Sequence, residues 1–290
     1  VNRADSSNLM AQVNLPYFDF LLSELGKGNA SIERSFGRHV HWGYWDDPTT
    51  AQLDPDDYAR AAERLTQALC DLADIQDDES VLDAGCGFGG TIATLNEQFR
   101  NLRMTGLNID PRQLARAREK VLPLFGNSIR FDEGDACQLP YPDASFDRVL
   151  AVECIFHFPS RKAFFREVFR VLRPGGTLAL SDFVPSPLLL PLLSIPVPER
   201  LRRADAFGRY DVRVTLARYN RLAAIVGLLP AAHYNATRNV LPTYRFLSHM
   251  MGLDRMKTPT GALLRRIITG NTILGRLGLL NYYLLAFRKP

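Results

Sequence analysis

The feature that most constrains this chain is the stretch Val81-Leu-Asp-Ala-Gly-Cys-Gly-Phe-Gly-Gly90. Ser80 to Asp83 reads as a short strand closing on a carboxylate, and Thr91 to Phe99 carries apolar residues at helical spacing. A glycine-rich turn therefore joins a strand to a helix. Glycines at 85, 87, 89 and 90 let the main chain take left-handed or crowded conformations and let a ligand lie against it without meeting a Cβ. The helix that follows points unpaired N–H groups and a positive dipole end at the same place.

Two cofactor classes use such a turn. Gly85, Gly87 and Gly90 satisfy the G-x-G-x-x-G spacing of dinucleotide binders, which leaves an NAD-dependent oxidoreductase open as a reading. Asp83 argues the other way. An acid two residues before the first glycine would repel a pyrophosphate, yet it suits a ligand carrying an ammonium group, such as S-adenosylmethionine. A glycine turn holding no ligand at all is the third possibility.

Val81 to Gly90 resembles the first motif of class I S-adenosylmethionine-dependent methyltransferases, and matches at that family's spacing continue from about Asp71 to Phe183. The departures resemble its small-molecule branch, the sterol and tocopherol methyltransferases. The resemblance implies S-adenosyl-L-methionine as cofactor. It places Asp83, Gly85 and Gly87 at the aminoacyl end and Asn108 at the ribose, where most members carry an acid. A neutral Asn108 also counts against NAD. Ile109 and Gln113 are implied as further contacts, Asp135 as acceptor of the adenine amino group and Ala136 as a backbone donor to the ring. For Asp135 a plain turn aspartate is the alternative, and Asp110 reads as a cap on the helix beginning at Pro111.

In chain order, residues 1 to 15 are polar, and Tyr17 to Leu25 makes a short amphipathic helix. His39-Val-His-Trp-Gly-Tyr-Trp45 is either a hydrophobic plug or, as the resemblance implies for Tyr44 and Trp45, a cover over the cofactor whose rings favour a sulfonium. A long helix over Asp57 to Ala73 leads to strands at Arg103 to Leu107, Ile129 to Glu133, Arg148 to Val152 and Thr177 to Phe183. Arg173-Pro-Gly-Gly176 is expected to stop the helix before the last of these. Alternating strands and helices predict an α/β fold, a doubly wound and mostly parallel sheet. The resemblance makes it seven-stranded, Rossmann-like, with helical lid insertions and a reversed last strand. The expected divisions are a cap over 1–56, a cofactor-binding core over 57–184, a lid insertion over 185–214 and a closing part over 215–290 with a helical insertion near 238–280. The two inserted helices and the aromatic segment are expected to form an apolar cover on the methyl side.

Glu153-Cys-Ile-Phe-His-Phe-Pro159 follows the fourth strand, where ligands gather in doubly wound sheets. Glu153 and His157 resemble the Glu and His of the sterol methyltransferase segment. His157 is a candidate general base or else a structural group. Glu153 is a candidate cofactor contact or cation stabiliser. The proline-broken apolar run Pro185 to Pro198 reads as a lid over an apolar acceptor, as a membrane-touching segment or as a buried loop.

Charge bounds the partners. A net charge of +4 over 290 residues gives no nucleic-acid signature, and no metal-ligand spacing is present. Asp46 to Glu79 is acidic, whereas Arg255 to Pro290 is basic without any acid, either a solvated face or one for an anionic membrane or substrate. Four cysteines without C-x-x-C pairing, and no signal-peptide pattern over Val1 to Asn14, point to the cytoplasm. Val1 in place of Met suggests a trimmed chain. The expected activity is methyl transfer to carbon or oxygen of a largely apolar small molecule; a non-catalytic S-adenosylmethionine-binding protein is the other alternative.

Overall fold

The computed structural model describes residues 15–195, 211–253 and 258–290. The expectations for residues 1–14, and for most of the arginine-rich stretch from Arg200, lie outside the described residues.

Helix α1 (Pro16–Gly26) starts on a proline, whose missing N–H costs nothing at a first turn, and buries Phe18 and Leu21. Helix α2 (Ala30–Phe36) is capped by Asn29, which accepts from the N–H groups of Ser31 and Ile32. The aromatic segment runs without regular structure to α3 (Pro55–Ala73), capped by Asp54. This long helix buries Tyr58, Ala61, Ala62, Leu65 and Leu69, a stripe at three- and four-residue spacing. Strand β1 (Ser80–Ala84), helix α4 (Gly90–Gln98), strand β2 (Arg103–Asn108), helix α5 (Pro111–Lys120), strand β3 (Ser128–Glu133) and strand β4 (Phe146–Val152) follow. Asp110 accepts from the Arg112 N–H and so caps α5, as its sequence position implied. A single 3-10 turn, Ile155–His157, leads to α6 (Arg161–Val171) and β5 (Leu172–Pro185). Beyond it lie a short α7 (Leu190–Leu193), α8 (Leu216–Val226), β6 (Leu229–Asn235), α9 (Thr237–Val240), α10 (Pro242–Met250), α11 (Pro259–Arg276) and β7 (Leu280–Arg288).

The seven strands form one sheet in the order β3-β2-β1-β4-β5-β7-β6. All neighbours are parallel except β7, which runs antiparallel to both β5 and β6. The expected doubly wound, mostly parallel sheet with a reversed last strand is therefore present. Chain order reverses at β1, which pairs with β2 on one side and β4 on the other. That reversal opens a crevice at the carboxyl ends of β1 and β4. Apolar clusters fill both faces, one around Phe164, Phe165, Tyr219 and Phe287, the other around Leu65, Leu69, Ile92 and Leu95.

Two expectations need correction. Arg173 to Gly176 does not separate helix from strand: β5 already pairs at Leu172 with Phe146, and the next pair is Thr177 with Arg148. The extra residues bulge out of the ladder, with Gly175 at φ +80° making the reversal. Nor do the inserted helices cover the crevice. Phe246 of α10 stacks on Tyr58 of α3 at 4.1 Å, in a cluster with Phe36 and Trp45, and α11 packs against α10 and β7. No residue of either helix lines the cavity described next.

Candidate active site

The crevice holds one cavity that gathers the glycine turn, the ends of β2 and β4, the first turn of α1 and the arm Arg38–His41. The turn is fixed from β2: Gly85 and Cys86 both donate their N–H groups to Leu107 O, at 2.8 and 3.0 Å. Gly85 has φ +91°, and a Cβ there would lie 2.7 Å from that of Cys154. At Gly87, φ +55°, a Cβ would instead point into open space, with Gln113 Oε1 at 3.8 Å the nearest atom. That opening is a backbone cradle any other side chain would fill.

Asp83 ends β1 inside this cavity, and only 1% of it is exposed. Neither carboxylate oxygen has a hydrogen-bond partner. Burial raises its pKa to about 7; the Thr91 hydroxyl acts in the opposite sense but does not reach hydrogen-bonding geometry. An unsatisfied buried carboxylate costs on the order of 1–3 kcal/mol, and proteins tolerate such a group chiefly where a ligand completes it. The chemistry that fits is a cation with N–H donors, so the residues present suit the ammonium of an aminoacyl ligand.

At the other end of the cavity, Asn108 Nδ2 donates to Gln113 Oε1 at 2.9 Å, and Asn108 Oδ1 accepts the Ile109 N–H at 2.7 Å. Asn108, Ile109, Gln113, Asp135 and Ala136 all line the cavity, with Asp135 Oδ1 taken up by the Cys137 N–H. The structure thus brings together every candidate cofactor residue except Tyr44. The Tyr44 N–H donates to Ala61 O, and its hydroxyl donates to Tyr234 on β6. Trp45 donates its indole N–H to Asp57. Both rings are pinned on the α3 side, outside the lining.

Glu153 follows β4 directly in a left-handed conformation, φ +48°, which costs a non-glycine residue of order 1 kcal/mol or more. The bend aims its carboxylate inward. Oε1 accepts the Trp42 N–H at 2.9 Å and the Tyr282 hydroxyl at 2.5 Å. Burial nonetheless lifts its pKa to about 8. His157 sits one 3-10 turn further on, lines the same cavity, and stacks on Tyr17 at 6.2 Å. Burial, then the charge of Glu153, raises the Tyr17 pKa well above the ordinary phenol range.

Several lining residues were not singled out from the sequence: Leu15 at the cap of the first helix, Tyr17 and Phe18 within it, Arg38 and Thr91, and, inside segments already read as facing the cofactor or the site, His39 to His41, Cys154 and Phe158. For the arm a signal existed, since two histidines in His39-Val-His41 beside aromatics do not fit an ordinary apolar element. Among the described residues no group of three or more His, Cys, Asp or Glu could hold a metal ion. No described helix is long and apolar enough to cross a membrane.

Comparison with known proteins agrees with this geometry. A family profile described as a methyltransferase domain matches residues 82–180. The chain is 40% identical over 172 residues to methyltransferase GfsG of Streptomyces halstedii, covering 58% of this chain and 60% of that one. It is 39% identical to 27-O-demethylrifamycin SV methyltransferase of Amycolatopsis mediterranei, covering 57% and 61%. These alignments span about three fifths of each relative. Ajmaline N-methyltransferase of Rauvolfia serpentina aligns further, 30% identical over 216 residues, 72% of this chain and 73% of that one. Among solved structures, geranyl diphosphate C-methyltransferase from Streptomyces coelicolor A3(2) shares the fold with a TM-score of 0.66 at 18% identity, covering 89% and 95%. The dinucleotide reading is thereby set aside. The chain belongs to the class I S-adenosylmethionine-dependent methyltransferases, in their small-molecule branch.

Proposed function

We propose that this protein transfers the methyl group of S-adenosylmethionine to carbon or oxygen of a largely apolar small molecule, by in-line displacement. The observation that carries the proposal is Asp83: a buried carboxylate without a partner, beside a backbone cradle, in the crevice where the sheet reverses. The cofactor, when bound, supplies a methyl group already activated by its sulfonium. Asp83 then receives the ammonium, Gly85 and Gly87 leave room for the ligand against the main chain, and Asn108, Ile109 and Gln113 hold the ribose. Asp135 and Ala136 take the adenine edge.

Phe18, Val40, Val152, Phe158 and the Tyr17–His157 stack give the cavity apolar and aromatic walls, which exclude water and suit a greasy acceptor. For a hydroxyl acceptor, His157 is the group that takes the proton. For an alkene acceptor, the aromatic faces stabilise the developing cation, joined by Glu153 once it has given up its proton. The small-molecule acceptors named in the relatives 27-O-demethylrifamycin SV methyltransferase and ajmaline N-methyltransferase support the size class. Nucleic acid is not among the proposed acceptors.

Two further parts of the reading are proposals of the same kind. Residence in the cytoplasm is supported by four free cysteines. Peripheral membrane contact is supported by the exposed Leu188, Leu192 and Ile195. This apolar stretch follows Ser186, whose N–H donates to Leu279 O just after the basic α11. Co-sedimentation with anionic but not neutral vesicles is the result expected for that contact.

The deciding experiment incubates purified protein and cofactor labelled in its methyl group with organic extracts and, separately, with nucleic acid. Labelled small molecules detected by mass spectrometry support the proposal. Label confined to nucleic acid overturns the acceptor class, and cofactor binding without turnover makes this a non-catalytic member of its family.

A further inference from the structure

A cluster of titratable side chains forms part of the cavity wall and continues behind it, and the mechanism above does not use it. His39 and His41, both buried, face one another across the arm that closes the cofactor cavity. His39 Nε2 lies 2.7 Å from Glu63 Oε2, and His41 Nδ1 lies 3.0 Å from Trp42 O. The two remaining nitrogens, His39 Nδ1 and His41 Nε2, are 3.1 Å apart. Thr66 Oγ1 stands 2.9 Å from His41 Nε2 and 3.4 Å from His39 Nδ1.

Counting protons over these four nitrogens fixes the charge. Trp42 O is a carbonyl and can only accept, so His41 Nδ1 carries a hydrogen. Glu63 receives the Thr94 hydroxyl at 2.7 Å and lies 3.0 Å from Arg38 Nε; against burial, which raises it, His39 first and then Thr94 and Arg38 lower its pKa to about 2, and at neutral pH the group is already ionised at its ordinary value. An ionised carboxylate also only accepts, so His39 Nε2 carries a hydrogen as well. If both rings were neutral, His39 Nδ1 and His41 Nε2 would then face each other lone pair to lone pair. The Thr66 hydroxyl has one hydrogen and can relieve only one of them.

We infer that His39 is an imidazolium in the folded protein, donating to Glu63 and His41 together, and that Glu63 thereby acts as a positioning residue for the cofactor arm. Burial lowers the pKa of both rings, His41 to about 3; at His39 alone the Glu63 carboxylate bonds the ring directly and acts against that lowering, so a proton shared by the two rings belongs to His39. The charged groups facing the pair are Glu63 and Arg38, with Glu97 behind Arg38 at 2.8 Å. Their sum with the imidazolium is zero, which is the balance a buried site requires.

The arm matters because of what it touches. A Cβ on Gly90 would lie 2.5 Å from both Arg38 O and His39 Nδ1, so the arm seats directly on the first turn of α4. Its far end donates the Trp42 N–H to Glu153. Loss of the His39 proton sets two lone pairs against each other at the centre of this bridge and loosens the cavity wall. Because the shared proton is what holds the two rings together, the order it confers on the arm is present while His39 is protonated and is lost as pH rises through the folded His39 value.

The test reads the protein alone first. Long-range proton–nitrogen correlation spectra of histidine-labelled protein at neutral pH should show His39 protonated at both nitrogens and His41 at one. Both rings neutral would overturn the inference. Glu63→Gln keeps the shape and removes the anion. It should abolish the imidazolium signature and weaken binding of the demethylated cofactor product about tenfold, which corresponds to about 1.4 kcal/mol, while turnover at saturating cofactor holds. Unchanged affinity, or an equal loss in turnover, would refute the positioning role. Should that variant not fold, the wild-type protein still decides. Product affinity that falls on the alkaline side together with the His39 signature supports the inference, and affinity independent of that signature overturns it. The spectral readout does not depend on methyl transfer, so its failure and that of the proposed reaction are distinguishable.

Discussion

Tyr282, on the reversed strand β7, donates its hydroxyl to Glu153 at the end of the parallel strand β4, 2.5 Å away. The contact spans β5, which lies between the two strands in the sheet. The same oxygen receives the Trp42 N–H from the N-terminal arm. Three parts of the chain distant in sequence therefore converge on one carboxylate, and both donors lower a pKa that burial has lifted to about 8. An arrangement that strains the backbone, buries an acid and still supplies donors to it fits a site kept for function rather than for stability.

Glu153→Gln should separate those two roles. Between the ordinary carboxyl value and about 8, the native state holds a proton that the unfolded chain has released, so wild-type stability falls as pH rises across that window. The amide has nothing to ionise and can still accept both donors. Thermal unfolding at pH 8 should show the variant more stable by about 1–2 kcal/mol, with turnover reduced at least about a hundredfold. A less stable variant at that pH would contradict the account of burial.

Asp83→Asn tests the ammonium contact. With a pKa near 7 in the free protein, Asp83 must lose its proton to bind a cation, so cofactor affinity should weaken as pH falls below about 7. Calorimetry in buffers of different ionisation heat should then record proton release on binding at mildly acid pH. The asparagine variant should bind about a hundredfold or more weakly and release none. Its unfolding free energy should also vary less with pH between about 4 and 7. Unaltered affinity would remove Asp83 from the cofactor site.

His157→Phe preserves an aromatic ring against Tyr17 while deleting both nitrogens. If the acceptor loses a proton to His157, turnover should fall by about 100- to 10,000-fold while cofactor affinity stays within a factor of about two. Equal losses in turnover and cofactor affinity would identify the ring as packing alone.

Much of this was legible in the sequence because it is local. The glycine turn, Asp83 and the alternation of strands and helices each depend on neighbours a few residues apart. The position of Glu153 and His157 follows from one topological rule about the carboxyl ends of parallel strands. What stayed hidden depends on distant partners. Nothing near Tyr17 says that α1 docks over His157, 140 residues on, because apolar helical spacing looks the same whatever it packs against. Tyr44 was assigned to the cofactor by analogy, yet the Ala61 carbonyl and Tyr234 turn it away. The bulge at Arg173 to Gly176 is likewise set by where β4 begins, which the helix-stopping sequence does not encode.

Arg161 carries the last prediction. Its guanidinium is buried on α6, where Nη2 pairs with Asp182 at 3.1 Å and donates to Asp211 O, and Nε donates to the Tyr219 hydroxyl at 3.0 Å. Tyr219 in turn donates to Asp182. Asp211 hands its own N–H to Phe156 O, so the cluster braces the turn that bears His157. Burial raises the Asp182 pKa, and Arg161 is the main force opposing it. Arg161→Met would leave Asp182 without its counter-charge, and such a loss typically costs about 3–5 kcal/mol. Asp182 then takes up a proton at higher pH than before, so the penalty should shrink on acidification. Denaturant unfolding of the variant against wild type at two pH values measures this directly. Pairing the change with Asp182→Asn should recover part of the loss at neutral pH, because the orphaned charge is gone. If the double variant is as unstable as the sum of the single ones, the two residues act independently and the turn is held by other means.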